Sequence, residues 1–305
     1  MNLLHDWPNG NVTVKIFDDG TKIREYEGTP DPEYPETIDM KITNWCDAPC
    51  QKWCHEQSNV KGLHADAQAL QDVLHSAHAG MEIAFGGGAT QTYPGLMAKV
   101  WTLNSRGVIA NMTVNQHHIA SVSSLALMQF CGIGLSYQAH MPKDLIVETY
   151  FRHPHVVVHL IMGVHSPDDL RAIENVLQAK GMKGRYLLLG YKNWGNGKRY
   201  KSVNDLAIDK CLRLWYIAMG ELVKKHHIGF DNLAIEQMKL SRLFTDEGWK
   251  KFYMGDEGTF SMYIDMVKQE YASHSTSPDR YPVNGQGIKK MFQHIRQLAK
   301  KEGVI

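Results

Sequence analysis

Apolar and polar positions along this 305-residue chain keep changing period. Short β-branched or aliphatic runs alternate with longer windows in which apolar residues return every three or four positions, the period of a helix with one buried face. The runs predict strands over Ile38–Thr43, Met81–Phe85, Val108–Val114, Gly132–Leu135, Val156–Met162, Tyr186–Leu189, Ile228–Phe230 and Thr259–Ile264. Between them the pattern predicts helices over Ala65–His78, Leu96–Ser105, Ile119–Phe130, Pro167–Ala179 with Ser166 as N-cap, Val203–Lys225 and Leu233–Phe244. Eight strands joined mostly by helical crossovers define an α/β chain, a parallel (β/α) barrel closed or partly open, from about Ile38 to Met266. Chemistry in such a barrel collects at the C-terminal ends of the strands.

The two ends of the chain follow other patterns. Val12, Val14 and Ile16 alternate up to Asp18-Asp19-Gly20, and Lys22 to Tyr26 follows, which predicts a hairpin turning at Asp-Gly. Pro30, Pro32 and Pro35 then make a linker, so residues 1–36 form a small appendage and 37–305 the main domain. Near the C-terminus Ile288, Met291, Phe292, Ile295 and Leu298 share one helical face, opposite Lys289, Lys290, Arg296, Lys300 and Lys301. This predicts a docked amphipathic helix whose basic side is either solvated or a binding surface.

Charge changes the picture little. The 33 basic and 32 acidic residues nearly cancel, so charge alone gives no reason to expect general affinity for nucleic acid or membranes, and any such contact must be local. No stretch has the roughly 18 consecutive apolar residues of a membrane span, and the N-terminus lacks the apolar run of a signal peptide. A cytoplasmic protein is expected, and clustered free thiols suit a reducing compartment.

Three of the five cysteines, Cys46, Cys50 and Cys54, fall within nine residues just after the first predicted barrel strand. Three thiols so close in sequence are not a disulfide framework; they are donors for a metal, either three corners of an iron–sulfur cluster or, with His55, a Cys3His zinc site. Trp53 directly precedes the third cysteine, and the second predicted strand runs into Gly86-Gly87-Gly88.

This loop, Ile42-Thr43-Asn44-Trp45-Cys46 with the cysteines that follow, resembles the cluster loop of radical S-adenosylmethionine enzymes. The spacing here is C-x3-C-x3-C, one residue longer than the family's usual C-x3-C-x2-C. Phe17-Asp18-Asp19-Gly20-Thr21-Lys22 and Phe260-Ser261-Met262-Tyr263-Ile264-Asp265 also resemble such proteins encoded by bacteriophages. The resemblance implies a [4Fe-4S] cluster held by Cys46, Cys50 and Cys54, whose fourth iron binds S-adenosylmethionine. Reductive cleavage then yields a 5′-deoxyadenosyl radical that takes hydrogen from a substrate. It further implies that Trp53, Gly86, Gly87, Gly88 and Ser136 contact the cofactors, and that a flavodoxin or ferredoxin supplies the electron.

Other positions carry weaker signals. Tyr137 and Gln138 stand beside Ser136; His159 and Met162 lie on the fifth predicted strand with their faces unassigned. Gly190 to Lys201, rich in aromatics, glycines and cations, reads as a loop at the barrel mouth, either mobile or recognising a planar, anionic substrate. Asp231, Asn232 and Asp265 end strands and are candidates for substrate orientation or helix capping; Cys131 and Cys211 read as core thiols. The substrate class stays open between a nucleotide, nucleic acid or other anion and a peptide or protein, as does a non-catalytic iron–sulfur or zinc protein on the same scaffold.

Overall fold

The structure is a computed structural model that describes residues 2–17 and 21–301. Strands β1 (Leu3–Asn9), β2 (Val12–Phe17) and β3 (Lys22–Tyr26) form an antiparallel sheet in that order. The predicted hairpin is the β2–β3 pair, and β1 was missed because His5, Asp6 and Asn9 break its alternation. The turn expected at Asp18-Asp19-Gly20 lies outside the described residues.

The second sheet holds β4 (Thr37–Thr43), β5 (Glu82–Gly87), β6 (Ile109–Asn115), β7 (Gly132–Ser136), β8 (Val156–Ile161), β9 (Arg185–Leu189), β10 (His227–Phe230), β11 (Ser261–Asp265), β12 (Glu270–Ala272) and β13 (Tyr281–Pro282). From β4 to β10 each strand pairs parallel with the next, and β11 returns to lie parallel on the free edge of β4. The other edge of β11 is taken by antiparallel β12, so among the described residues the ladder ends at β10 and β13 and does not close by hydrogen bonds.

Burial alternates along these strands as their period demands. Ile38, Met40 and Ile42, Ile83 and Phe85, Ala110 and Met112, Ile133 and Leu135, and Val156, Val158 and Leu160 are buried among the core apolar residues. The opposite parity, including Asp39, Lys41, Ala84, Gly86, Thr113, Asn115, Ser136, His159 and Leu187, lines one cavity. Met162, fully buried and absent from that lining, belongs to the core.

The small sheet sits at the N-terminal ends of the parallel strands, away from the cysteines. Trp7 packs where a Cβ on Gly80 would fall (2.5 Å), and Gly80 has φ +87°. Arg24 meets the buried Glu36 at 2.6 Å, and Lys22 meets Glu82 at 2.5 Å. The C-terminal helix Ile288–Lys301 buries the expected Ile288, Met291, Phe292 and Ile295. Arg296, expected on its basic side, is instead buried, donating to the carbonyls of Thr259 at 2.7 Å and Pro30 at 3.0 Å and pairing with Asp31 at 3.0 Å. The helix is thus clamped to the proline linker.

Two predicted helices are broken. Ile119–Phe130 resolves into single turns Gln116–Ile119 and Ser124–Leu127, each with its own cap, Asn115 and Ser123. Leu233–Phe244 becomes Asn232–Met238 and a 3-10 turn Leu240–Leu243, divided by Lys239 at φ +48°. Ser166 caps Pro167–Gln178 as expected, in a reciprocal box with Asp169.

Candidate functional site

The C-terminal ends of the parallel strands surround a cavity of about 350 Å³, and Cys46, Cys50, Cys54, Trp53, Gly86, Gly87, Gly88 and Ser136 all line it. Residues separated by 90 positions in sequence therefore meet at one place. The excursion after β4 that carries the cysteines is closed at its base: Asn44 N donates to Leu63 O at 2.8 Å, Cys46 N to Asn59 O at 3.0 Å and Asn59 N to Asn44 O at 2.9 Å. Pro49–Lys52 forms a 3-10 turn, which carries Cys50.

The glycine triplet divides its work. Gly88 N donates to Thr43 O at 2.8 Å and Ala89 N to Trp45 O at 2.7 Å, tying the end of β5 to the start of the cysteine excursion. A Cβ on Gly88 would stand 2.0 Å from Trp45 O, and one on Gly87, where φ is +110°, would stand 2.3 Å from Thr43 O. These two glycines admit the neighbouring backbone. Only Gly86 faces open space, with nothing within 4 Å of its would-be Cβ. A ligand can approach the backbone there.

Burial pushes all three thiols up, Cys50 to about 12, and each like-charged neighbour adds to the effect. A set of thiols with that bias ionises when a cation replaces the protons. Among the described residues, the one group of three His, Cys, Asp or Glu whose ligand atoms lie within 4.8 Å of one another is Asp47, His117 and His118. Cys46, Cys50 and Cys54 do not form such a group. His55, the fourth ligand of a zinc reading, turns its Nε2 to Glu56 at 3.1 Å.

The excursion is braced on three sides. Lys41, 4% exposed, pairs with Glu56 at 2.9 Å and Asp265 at 3.1 Å, and Tyr263 donates to Glu56 at 3.0 Å. Burial opposes the charge on Glu56, yet His55 and Lys41 hold its carboxyl well below the usual range. Toward β6, His118 meets Asp47 at 2.6 Å and Asn115 Nδ2 approaches Cys50 Sγ at 3.9 Å. On the third side Trp53 packs edge-on against Tyr200, and His55 O sits 2.3 Å from where a Cβ on Gly195 would be.

Below the cysteines the lining turns acidic. Asp39, Asp231 and Glu257 face the cavity with Lys192 and His274. Burial pushes Asp39 up against the pull of Lys192, and burial with the nearby Asp231 and Asp39 pushes Glu257 up to about 7. Lys192 donates to Ser275 at 2.9 Å. His159 occupies the space that a side chain on Gly134 would fill, its would-be Cβ 2.4 Å from the ring, and burial lowers its pKa to about 4. Gln138 also lines the cavity; its amide oxygen is buried with no hydrogen-bond partner.

No family model matches the chain, and no curated protein matches its sequence. Among solved structures, SuiB of Streptococcus suis bound to the precursor peptide SuiA matches with a TM-score of 0.59 at 10% identity, over 86% of this chain and 65% of that one. SuiB bound to S-adenosylmethionine matches with a TM-score of 0.58 at 10% identity, over 87% of this chain and 68% of that one. The chain therefore spans about two thirds of SuiB's length, and what they share at this identity is the fold.

Several expected roles are corrected. The stretch read as a mouth loop up to Lys201 is helical from Asn196, in a helix that continues to Lys225 with a kink at Asn204; of its cations only Lys192 reaches the cavity. Asp231 lines the cavity while its carboxylate caps Asn232–Met238, accepting from Ala234 N at 2.7 Å and Gly190 N at 2.9 Å. Asn232 donates to Gly255 O at 3.2 Å, and Asp265 is the partner of Lys41. Cys131 is exposed rather than in the core, whereas Cys211, half-buried, donates to His165 O at 3.1 Å. Missed altogether were Asp39, Lys41, Glu56, Glu257 and His274. Asp39 and Lys41 did leave a signal: two charges at alternate positions of the otherwise apolar Ile38-Asp39-Met40-Lys41-Ile42 mark a strand face that is not core.

Proposed function

We propose that this protein is a radical S-adenosylmethionine enzyme with a partly open (β/α) barrel, in which Cys46, Cys50 and Cys54 hold three irons of a [4Fe-4S] cluster. The observation that carries this is the convergence of three cysteines of one excursion on a cavity at the strand ends that Gly86, its backbone left open, also lines. When bound, the cluster and S-adenosylmethionine supply reductive cleavage of the sulfonium and a 5′-deoxyadenosyl radical for hydrogen abstraction. The chain's own part is placement. Gly86 leaves room for the methionine moiety, Ser136 and the unpartnered Gln138 oxygen offer polar contacts beyond it, Trp53 walls the thiols, and the braced excursion keeps water out. A flavodoxin or ferredoxin in a reducing cytoplasm completes the reading.

For the substrate, the lining favours a peptide or another basic molecule over a nucleotide. Lys41 is consumed by Glu56 and Asp265, so among the described lining residues Lys192 is the one lysine or arginine left to face Asp39, Asp231 and Glu257, and a phosphate would meet carboxyl groups rather than a cationic wall. SuiB, of like fold, has been solved with a precursor peptide. The test is anaerobic reconstitution with iron and sulfide, then S-adenosylmethionine and dithionite. Methionine and 5′-deoxyadenosine should form at rates far above a Cys50→Ala control, and a basic peptide should accelerate them where a nucleotide does not. Tetrahedral zinc in place of the cluster, or no cleavage above the control, defeats the reading.

A further inference from the structure

One cluster of ligand-bearing side chains lies outside that chemistry. Asp47 stands between Cys46 and Cys50 and points away to the solvent side of the turn, where it meets two consecutive histidines of the single-turn helix Gln116–Ile119 after β6. His118 Nε2 lies 2.6 Å from Asp47 Oδ1, the His117 and His118 rings are 5.0 Å apart at 73°, and one ligand atom from each of the three residues lies within 4.8 Å of the others. His118 is buried, and its backbone N–H is held by the Asn115 side chain at 3.0 Å. Asp47 and His117 are exposed.

We propose that Asp47, His117 and His118 form a second, mononuclear site for a divalent transition ion of the zinc or iron(II) class, independent of whatever the cysteines hold. Two imidazoles and one carboxylate are a donor set such ions prefer, with the remaining positions open to water. Bonds of roughly 2.0–2.1 Å put tetrahedral donors about 3.3 Å apart, so the His118–Asp47 contact opens by under about 1 Å and the widest pair closes by at most about 1.5 Å, movements that the exposed Asp47 and His117 can make about a fixed His118. The donors are nitrogen and oxygen only, so the site is chemically distinct from the thiols a few residues away. An ion here would pin the cysteine turn to the end of β6, beside the contact of Asn115 with Cys50.

The test uses the full chain with its cysteines already loaded with iron and sulfide, titrated anaerobically with cobalt(II) and separately with zinc(II). One equivalent of metal beyond the iron should bind, and cobalt should show ligand-field bands without thiolate charge transfer. His117→Ala, which leaves the His118–Asp47 hydrogen bond in place, should weaken binding by more than the roughly 10- to 100-fold typical of losing an outer partner, while iron content stays unchanged. Asp47→Asn should do the same. Failure to take up a stoichiometric ion, uptake indifferent to His117→Ala, or a cobalt spectrum dominated by thiolate bands each overturns the proposal and leaves the His118–Asp47 contact as a hydrogen bond that steadies the loop.

Discussion

Replacing Lys41 by Met isolates the brace that joins the cysteine excursion to the strands. Lys41 is 4% exposed and its ammonium faces two carboxylates, Glu56 at 2.9 Å on the excursion and Asp265 at 3.1 Å on β11, themselves 13% and 6% exposed. Methionine keeps the stem and nearly the volume, so no sizeable cavity forms; what is lost is the charge. Two buried carboxylates are then left facing each other, and breaking a buried pair in this way costs about 3–5 kcal/mol. Burial alone would lower the pKa of Lys41, but the two acids hold it above the usual value, so the cation is present in the fold at neutral pH. Urea denaturation of the reduced chain at pH 7 should show the midpoint falling by that energy divided by the slope, with the slope itself unchanged. The reconstituted variant should also retain less iron, since Glu56 is two residues from Cys54. Replacing Glu56 and Asp265 by Gln and Asn in the same chain should restore much of the loss. A cost under about 1 kcal/mol, the range of an exposed pair, would refute the view that this triad is a dry brace.

Two further outcomes follow from the geometry. Gly88→Ala puts a methyl 2.0 Å from Trp45 O and should cost about 1–3 kcal/mol by overpacking and lower iron uptake, whereas Gly86→Ala, with nothing within 4 Å, should leave stability nearly unchanged and weaken S-adenosylmethionine binding measured by calorimetry. His165 is 2% exposed, its Nδ1 accepts from Ile161 N at 2.9 Å, and burial lowers its pKa to about 4. Between the unfolded value near 6.5 and 4, the unfolded chain binds a proton the folded chain refuses, so the stability it contributes is full above pH 6.5 and is lost as pH falls, about 3 kcal/mol in all. His165→Gln should flatten that part of the pH–stability curve; an imidazole proton titrating near pH 6.5 by NMR would contradict the assignment.

What the chain discloses before folding, and what it withholds, follows from how far apart the cooperating residues lie. Strand faces and the cysteine turn depend on neighbours within ten positions, and alternation or close spacing reveals them. The acidic lining does not, because Asp39, Asp231, Glu257 and His274 come from four separate segments and meet only across the cavity. The stretch from Gly195 misled for a related reason. Its glycines suggest a loop, but Gly195 sits at φ +54° with His55 O 2.3 Å from the place of its Cβ, and Gly197 is likewise approached by Lys192 O at 2.3 Å; a contact 140 positions away leaves no room for a side chain at the first glycine.

The unclosed seam was equally hidden, since nothing in the pattern of Ser261–Asp265 distinguishes an edge offered to β10 from one offered to β12. Its consequence is functional. With β12 on that edge, β10 and β11 are not joined by a ladder, and the segments that follow β10 and β12 wall a second pocket of about 720 Å³, lined by Trp249, Tyr253, Asp256 and Tyr281. Lys192, Glu257, His274 and Ser275 line both that pocket and the cysteine cavity, so a single layer of side chains divides them. Two contacts hold the layer, Glu257 to His274 at 3.2 Å and Lys192 to Ser275 at 2.9 Å. Both are partly exposed and polar, the kind of contact a basic side chain can replace at little cost. A substrate carrying such a side chain would exchange with the partners of Glu257 on its way in, so the proposed preference for a basic substrate would draw on the open seam and the acidic lining together.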